Sequence, residues 1–167
     1  DRVIALDTNL LVYAHREDAA HHERALGAVR RAASGRGGCA IPWPCVHEFL
    51  AVTTHPRIYR PPTPPDDALR AITALTNHPG VHLIGEARDH LQVLDELISG
   101  GAVTGPRIHD ARIAAICLAH GVDALWSADR DFPGSPACAW SIRWRTEIRF
   151  RRDEADVWIE GHDDRCH

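Results

Sequence analysis

Arg2-Val3-Ile4-Ala5-Leu6-Asp7-Thr8-Asn9-Leu10-Leu11-Val12-Tyr13-Ala14 lies at the start of the chain, and its reading decides the fold. The run from Arg2 to Leu6 is short and apolar, and it stops at three polar residues, Asp7-Thr8-Asn9. That is the pattern of a buried strand whose C-terminal end carries polar groups. The apolar residues from Leu10 onward then begin a helical turn. A buried strand feeding a helix is the first step of a parallel α/β sheet.

The alternation continues outward from this segment. A helix is predicted from about Ala19 to Ala33, with Ala25, Leu26, Val29 and Ala32 on one face, ending at Ser34-Gly35-Arg36-Gly37-Gly38. Cys39-Ala40-Ile41 reads as a strand, and Pro42 and Pro44 bracket the entry to a helix from Cys45 to about Thr54. Five prolines between His55 and Pro65 exclude a continuous helix there. A further helix runs from about Asp66 to Thr76, and Val81–Ile84 is a strand. Asp89 to Ser99 is a helix with Leu91, Leu94, Leu97 and Ile98 inward. Gly100 to Gly105 is a loop, and Pro106 to His120 is a helix closed by Gly121. Ala124–Ser127 is a strand. Strands alternating with helices predict an α/β fold, a central and mainly parallel sheet covered on both faces. Ligands of such sheets gather beyond the carboxyl ends of the strands.

Composition narrows the class. The 167 residues are 44% hydrophobic and 25% charged, the balance of one folded domain. No apolar run reaches the roughly 18 residues of a membrane span, so no membrane association is expected. The formal charge of -4 argues against a protein that holds nucleic acid by bulk basic charge. An enzyme acting on nucleic acid stays open, because divalent ions can supply positive charge locally. The opening residues are too few and too charged for a signal peptide. The 5 cysteines (Cys39, Cys45, Cys117, Cys138 and Cys166) are odd in number and hold no CxxC, so reduced thiols and a cytoplasmic location are expected.

Four acidic residues fall where this topology collects them. Asp7 ends the first strand, Glu48 lies one turn into the helix after the second, Asp110 stands near the start of the helix after the glycine loop, and Asp129 follows the last strand. Each has an ordinary structural role available: Asp7 as a helix cap, Glu48 as a solvated face residue, Asp110 as a complement to the helix dipole, Asp129 and Asp131 as turn formers. Their joint placement carries more. Carboxylates gathered without cations repel one another and take up protons. A hard divalent ion such as Mg²⁺ or Mn²⁺ relieves this, and it needs only one or two direct carboxylates plus phosphate oxygens. The combination points to phosphodiester chemistry. Sulfur and imidazole are not arranged at zinc spacing, and His47 and His109 read as neighbours of the carboxylates. Arg107 and Arg112 are open between phosphate contact and surface ion pairing.

Four segments resemble one family. Asp7-Thr8-Asn9-Leu10-Leu11-Val12-Tyr13-Ala14 is similar to the opening of PIN-domain toxins of the VapC type. Pro42-Trp43-Pro44-Cys45-Val46-His47-Glu48-Phe49-Leu50 resembles the second acidic motif, and Thr54-His55-Pro56-Arg57-Ile58-Tyr59 the segment after it. Ile108-His109-Asp110-Ala111-Arg112-Ile113-Ala114-Ala115 resembles the third motif and Ser127-Ala128-Asp129-Arg130-Asp131-Phe132 the fourth. The resemblance covers about residues 2–132. It implies a Rossmann-like α/β/α sandwich, a Mg²⁺- or Mn²⁺-dependent endoribonuclease acting as the toxin of a type II toxin–antitoxin system, a VapB-like antitoxin as partner, RNA as substrate and a homodimer. On the same ground Asp7, Glu48, Asp110 and Asp129 are the catalytic and metal-binding quartet. Asp131 is a fifth acidic candidate, and Thr8 and Asn9 support the first carboxylate. The implied reaction is hydrolysis by metal-activated water.

Past Phe132 the text departs from the family, so a PIN domain is expected over 1–144 and an atypical, poorly packed tail over 145–167. A short edge strand is expected at Ala139–Arg143. A G+C-rich back-translation, displaced by two bases after the Phe132 codon, reads R-F-P-G-L-R-V-V-N-P-L, an ending of the family's kind. A one-base loss near codon 133 accounts for this; a lineage-specific extension is the alternative. Two other functions compete with the nuclease. One is a catalytically impaired PIN fold that only sequesters an antitoxin. The other is a Mg²⁺ phosphatase, weakened by the lack of a D-x-D motif after the first strand.

Overall fold

The computed structural model describes residues 3–101, 103–128 and 148–149. Eleven elements lie among them, in the order β1 (Ile4–Leu6), α1 (Thr8–His15), α2 (His22–Ser34), β2 (Cys39–Pro42), α3 (Trp43–Thr53), α4 (Pro65–Thr76), β3 (Val81–Ile84), α5 (His90–Gly101), α6 (Arg107–Ala119), β4 (Ala124–Trp126) and β5 (Ile148–Arg149). The sheet order is β3-β2-β1-β4-β5. The first four strands are parallel, in register Ile4↔Cys39, Ile4↔Ala124 and Cys39↔Val81, and β5 pairs antiparallel to β4. The expected parallel α/β architecture is thus present. The helices form two packed groups, α1 with α2 and α3 and α3 with α4, and α5 with α6.

Strands β1, β2 and β4 are near-continuous apolar runs because both faces of the sheet are covered. Ala5, Leu6, Cys39 and Ile41 are buried, as is Phe49 from α3, in one continuous core. Leu97 with Ala114 and Ala115 makes a smaller cluster between α5 and α6. Two glycines set the strand connections. Gly38 has φ +63°, and a Cβ there would lie 2.4 Å from the Gly80 carbonyl oxygen, so only glycine lets β2 enter beside β3. Gly121, at φ +66°, ends α6. The Val122 N–H donates to the Cys117 carbonyl and the Gly121 N–H to that of Leu118, the paired bonds of a Schellman turn leading into β4.

Several boundaries differ from expectation. Helix α1 starts at Thr8, not Leu10, because Asp7 caps it. Helix α2 runs His22–Ser34 and α3 starts at Trp43, since Pro44 sits comfortably in a first helical turn. Helix α5 extends to Gly101 through residues assigned to a loop. Leu91, expected inward, is 80% exposed; the inward pair on α5 is Val93 and Leu97, packed on α6. The edge strand expected at Ala139–Arg143 lies outside the described residues, whereas Ile148–Arg149, past the boundary expected at 144, forms β5. No helix among the described residues is long and apolar enough to cross a membrane.

Candidate active site

Parallel register brings the exits of β1, β2 and β4 to one rim. The Asp7 N–H donates to the Trp126 carbonyl at 2.9 Å, which carries the β1–β4 ladder to its end. The chain then turns into α1, and Asp7 Oδ1 accepts from the Thr8 N–H at 2.8 Å as the N-cap. Capping uses one oxygen and therefore does not exclude a site role. Its Oδ2 accepts from the Ser127 hydroxyl at 2.6 Å, and the Cys45 thiol lies 3.8 Å from Oδ1 as a weak donor. An ionised carboxylate offers about four acceptor sites, so three donors leave it able to take a further ligand.

Thr8 joins the first two acidic motifs. It is buried, and its hydroxyl donates to Glu48 Oε2 at 2.9 Å across 40 positions of sequence. Glu48 itself is exposed. Asn9 Nδ2 donates to the Ala128 carbonyl at 3.1 Å. Asn9 and the Asp7–Ser127 bond together fasten the two residues before Asp129 to the first turn of α1. Asp129 and Asp131 themselves lie outside the described residues.

Asp110 stands in the first turn of α6, exposed, with no hydrogen-bond or ion-pair partner among the described residues. It lies seven residues before Cys117, hence on the same helix face. Cys117 is buried and close enough to Asp7 to feel its charge: burial first, and the carboxylate second, push the thiol up to about 12. Cys45 is pushed up by the same two causes in the same order. Both thiols therefore stay protonated and add no charge beside Asp7. Cys39, Cys45 and Cys117 are free and buried.

Among the described residues, no three His, Cys, Asp or Glu side chains converge closely enough to hold an ion. The structure thus brings Asp7 and Glu48 together through Thr8, while no hydrogen bond among the described residues ties Asp110 to them. None of the three carboxylates is ion-paired among the described residues. Oxygen donors without a cationic partner are the chemistry of a site for a hard divalent ion, which needs only one or two protein carboxylates beside phosphate oxygens and water. His47 and His109 are exposed; the His47 ring lies against Trp43 in a tilted contact. Arg112 is ion-paired with Glu86, its Nε donating at 2.6 Å. Sequence reasoning missed Ser127, Cys45 and Cys117 as neighbours of Asp7. Ser127 carried a usable signal, a hydroxyl at a strand exit level with Asp7. The two cysteines carried none, since at apolar helix positions they read as core.

The PIN domain family model matches residues 4–134. Ribonuclease VapC43 of Mycobacterium tuberculosis is 33% identical over 144 residues, covering 86% of this chain and 94% of the relative. Ribonuclease VapC48 of the same species is 32% identical over 126 residues, covering 75% and 87%. Among solved structures, M. tuberculosis VapC20, described as a sarcin-ricin loop cleaving toxin, shares the fold with a TM-score of 0.56 at 19% identity, over 87% of this chain and 98% of that one.

Proposed function

The chain belongs to the PIN-domain family, in its group of VapC ribonucleases, and from that premise we propose that it is a divalent-metal-dependent endoribonuclease, the toxin of a type II toxin–antitoxin system. The observation that carries this reading is the junction at the end of β1. Asp7 is held on both oxygens, Thr8 hydrogen-bonds Glu48, and Ser127 and Asn9 draw in the segment before Asp129.

In this reading Asp7 and Asp110 hold Mg²⁺ or Mn²⁺, with Glu48 and Asp129 completing the acidic set. When bound, the ion supplies Lewis acidity and a nucleophile competent at neutral pH. The chain's own groups do the rest. Thr8 N–H and the Ser127 hydroxyl fix the orientation of the Asp7 carboxylate. Thr8 also anchors Glu48 by one oxygen, leaving Oε1 without a partner among the described residues and able to accept a proton from the attacking water. The same reading carries RNA as substrate, a VapB-like antitoxin as partner, a homodimer and a cytoplasmic location.

The test uses the full chain. Mn²⁺ is expected to raise the melting temperature and to support cleavage of RNA. Asp7→Asn keeps a good helix cap and so is expected to fold normally, while cleavage falls more than about 100-fold and the Mn²⁺ shift disappears. Intact RNA, no Mn²⁺ shift and no effect of Asp7→Asn would leave a PIN fold that only binds an antitoxin.

A further inference from the structure

An aromatic pair on the catalytic rim has no role in the chemistry above. Trp43 is 43% exposed, unusual for so large an apolar side chain. It lies one residue past the end of β2, and the β1–β2 register, continued by two positions, sets Asp7 level with Pro42. The Trp43 backbone is therefore one strand over from the Asp7–Thr8 turn, and neighbouring strands are only about 5 Å apart. The indole rests over the exit of β3, where a Cβ added to Gly85 would lie 3.4 Å from its Cδ1. His47, one turn along α3, backs it with ring centroids 5.9 Å apart and planes tilted by 36°. His47 in turn precedes Glu48, which Thr8 ties to the site.

We propose that Trp43, backed by His47, is a stacking platform for one base of single-stranded RNA next to the phosphodiester being cut. The proposal rests on the ribonuclease reading and names how that site takes its substrate. The first turn of α3, where the indole offers its exposed surface, lies one strand over from the Asp7–Thr8 turn, within the span of a chain whose phosphate lies at Asp7 and Glu48. Charge favours such a contact. A net charge of -4 and a pI of 6.3 argue against gathering RNA by bulk basic charge, and Arg112 on α6 is engaged by Glu86. Base-on-aromatic stacking supplies affinity without charge and tolerates any base, because every base has a π face. An antitoxin or a second copy of the chain covering Trp43 is the competing occupant, and the test separates it.

The probe is a fluorescein-labelled 12-nucleotide single-stranded RNA of mixed sequence, and a set carrying one abasic position moved along it. Binding to the full chain is read by anisotropy in EDTA, where no cleavage occurs. Trp43→Ala is expected to weaken binding about 5- to 100-fold with an unchanged melting temperature and unchanged mass in solution, while Trp43→Phe retains most of the affinity. One abasic position is expected to weaken binding to the unsubstituted chain by a similar factor and to leave Trp43→Ala unaffected. Equal binding by both proteins, no binding by the unsubstituted chain, or a Trp43→Ala that alters only oligomeric mass or antitoxin binding overturns the proposal. RNA bound in a Trp43-dependent manner but never cut with Mn²⁺ would uphold the platform and sink the nuclease.

Discussion

Asp7 holds three elements together at the end of β1. Its N–H finishes the β1–β4 ladder, its Oδ1 caps α1, and its Oδ2 takes the Ser127 hydroxyl. Its place at the strand end was legible in sequence because the apolar run of β1 stops at a polar triplet. Glu48 was legible only through the motif around it, since nothing in a helical glutamate tells that a threonine 40 positions earlier will donate to it. That bond gives a sharp test. Thr8→Val keeps the volume of a 2% exposed side chain and removes only the hydroxyl. Glu48 is exposed and regains water, so stability should change by less than about 1 kcal/mol. RNA cleavage should fall about 10- to 100-fold, the usual effect of losing a group that orients a metal-site carboxylate. Wild-type cleavage by Thr8→Val would show that Glu48 needs no anchor.

At the level of elements, the alternation of strand and helix was readable because buried parallel strands are continuous apolar runs and the helices between them carry a 3.6-residue stripe. What escaped were ends and faces. Leu91 was assigned inward by spacing, but α5 begins at His90 and meets α6 along Val93 and Leu97. The proline-rich segment after α3 gave no periodicity at all, yet it is tied down. Arg16 donates to the Pro61 carbonyl and Thr63 Oγ1 and lies over the Tyr59 ring, its centroid 4.2 Å away. His15 meets Thr63 Oγ1 at 3.2 Å and packs edge-on against Phe49. Burial first, and Arg16 next, lower the His15 pKa from its ordinary 6.5. Below pH 6.5 the unfolded chain therefore binds this proton before the folded one does. The His15 contribution is complete above pH 6.5 and is lost as pH falls from there toward the folded value. Urea midpoints should drop between about pH 7 and pH 5, and the drop should be smaller in His15→Gln. An identical pH dependence in the two proteins would mean that His15 is solvated in the folded chain. Gly38→Ala tests the β2–β3 entry. With φ +63° and the Gly80 oxygen 2.4 Å from the new methyl, a loss of at least about 1–3 kcal/mol is expected in urea unfolding; a neutral result would mean that the turn can rearrange.

For the whole molecule, the decisive matter is how the sheet is completed beside β4. The family match stops at residue 134, two residues past Phe132, where the displaced reading begins. On the side of β4 away from β1, the described sheet holds the two residues Ile148–Arg149, running antiparallel. The sequence R-F-P-G-L-R-V-V-N-P-L instead carries two leucines and two adjacent valines, side chains suited to an edge strand packed on the core. Each such side chain, if fully buried, contributes roughly 1.5–3 kcal/mol, far more than a two-residue pairing. If a base was lost near codon 133, the gene will encode this ending in a neighbouring frame. A chain restored to it should then melt at least about 3 °C higher, with the acidic set up to Asp131 unchanged. All four acidic motifs precede the break, so cleavage per folded molecule should be the same in both chains, and the gain should appear in the lifetime of the folded state and in dimer formation. A gene with no such ending in any frame, or a restored chain no more stable than this one, would establish residues 133–167 as an extension selected in its own right.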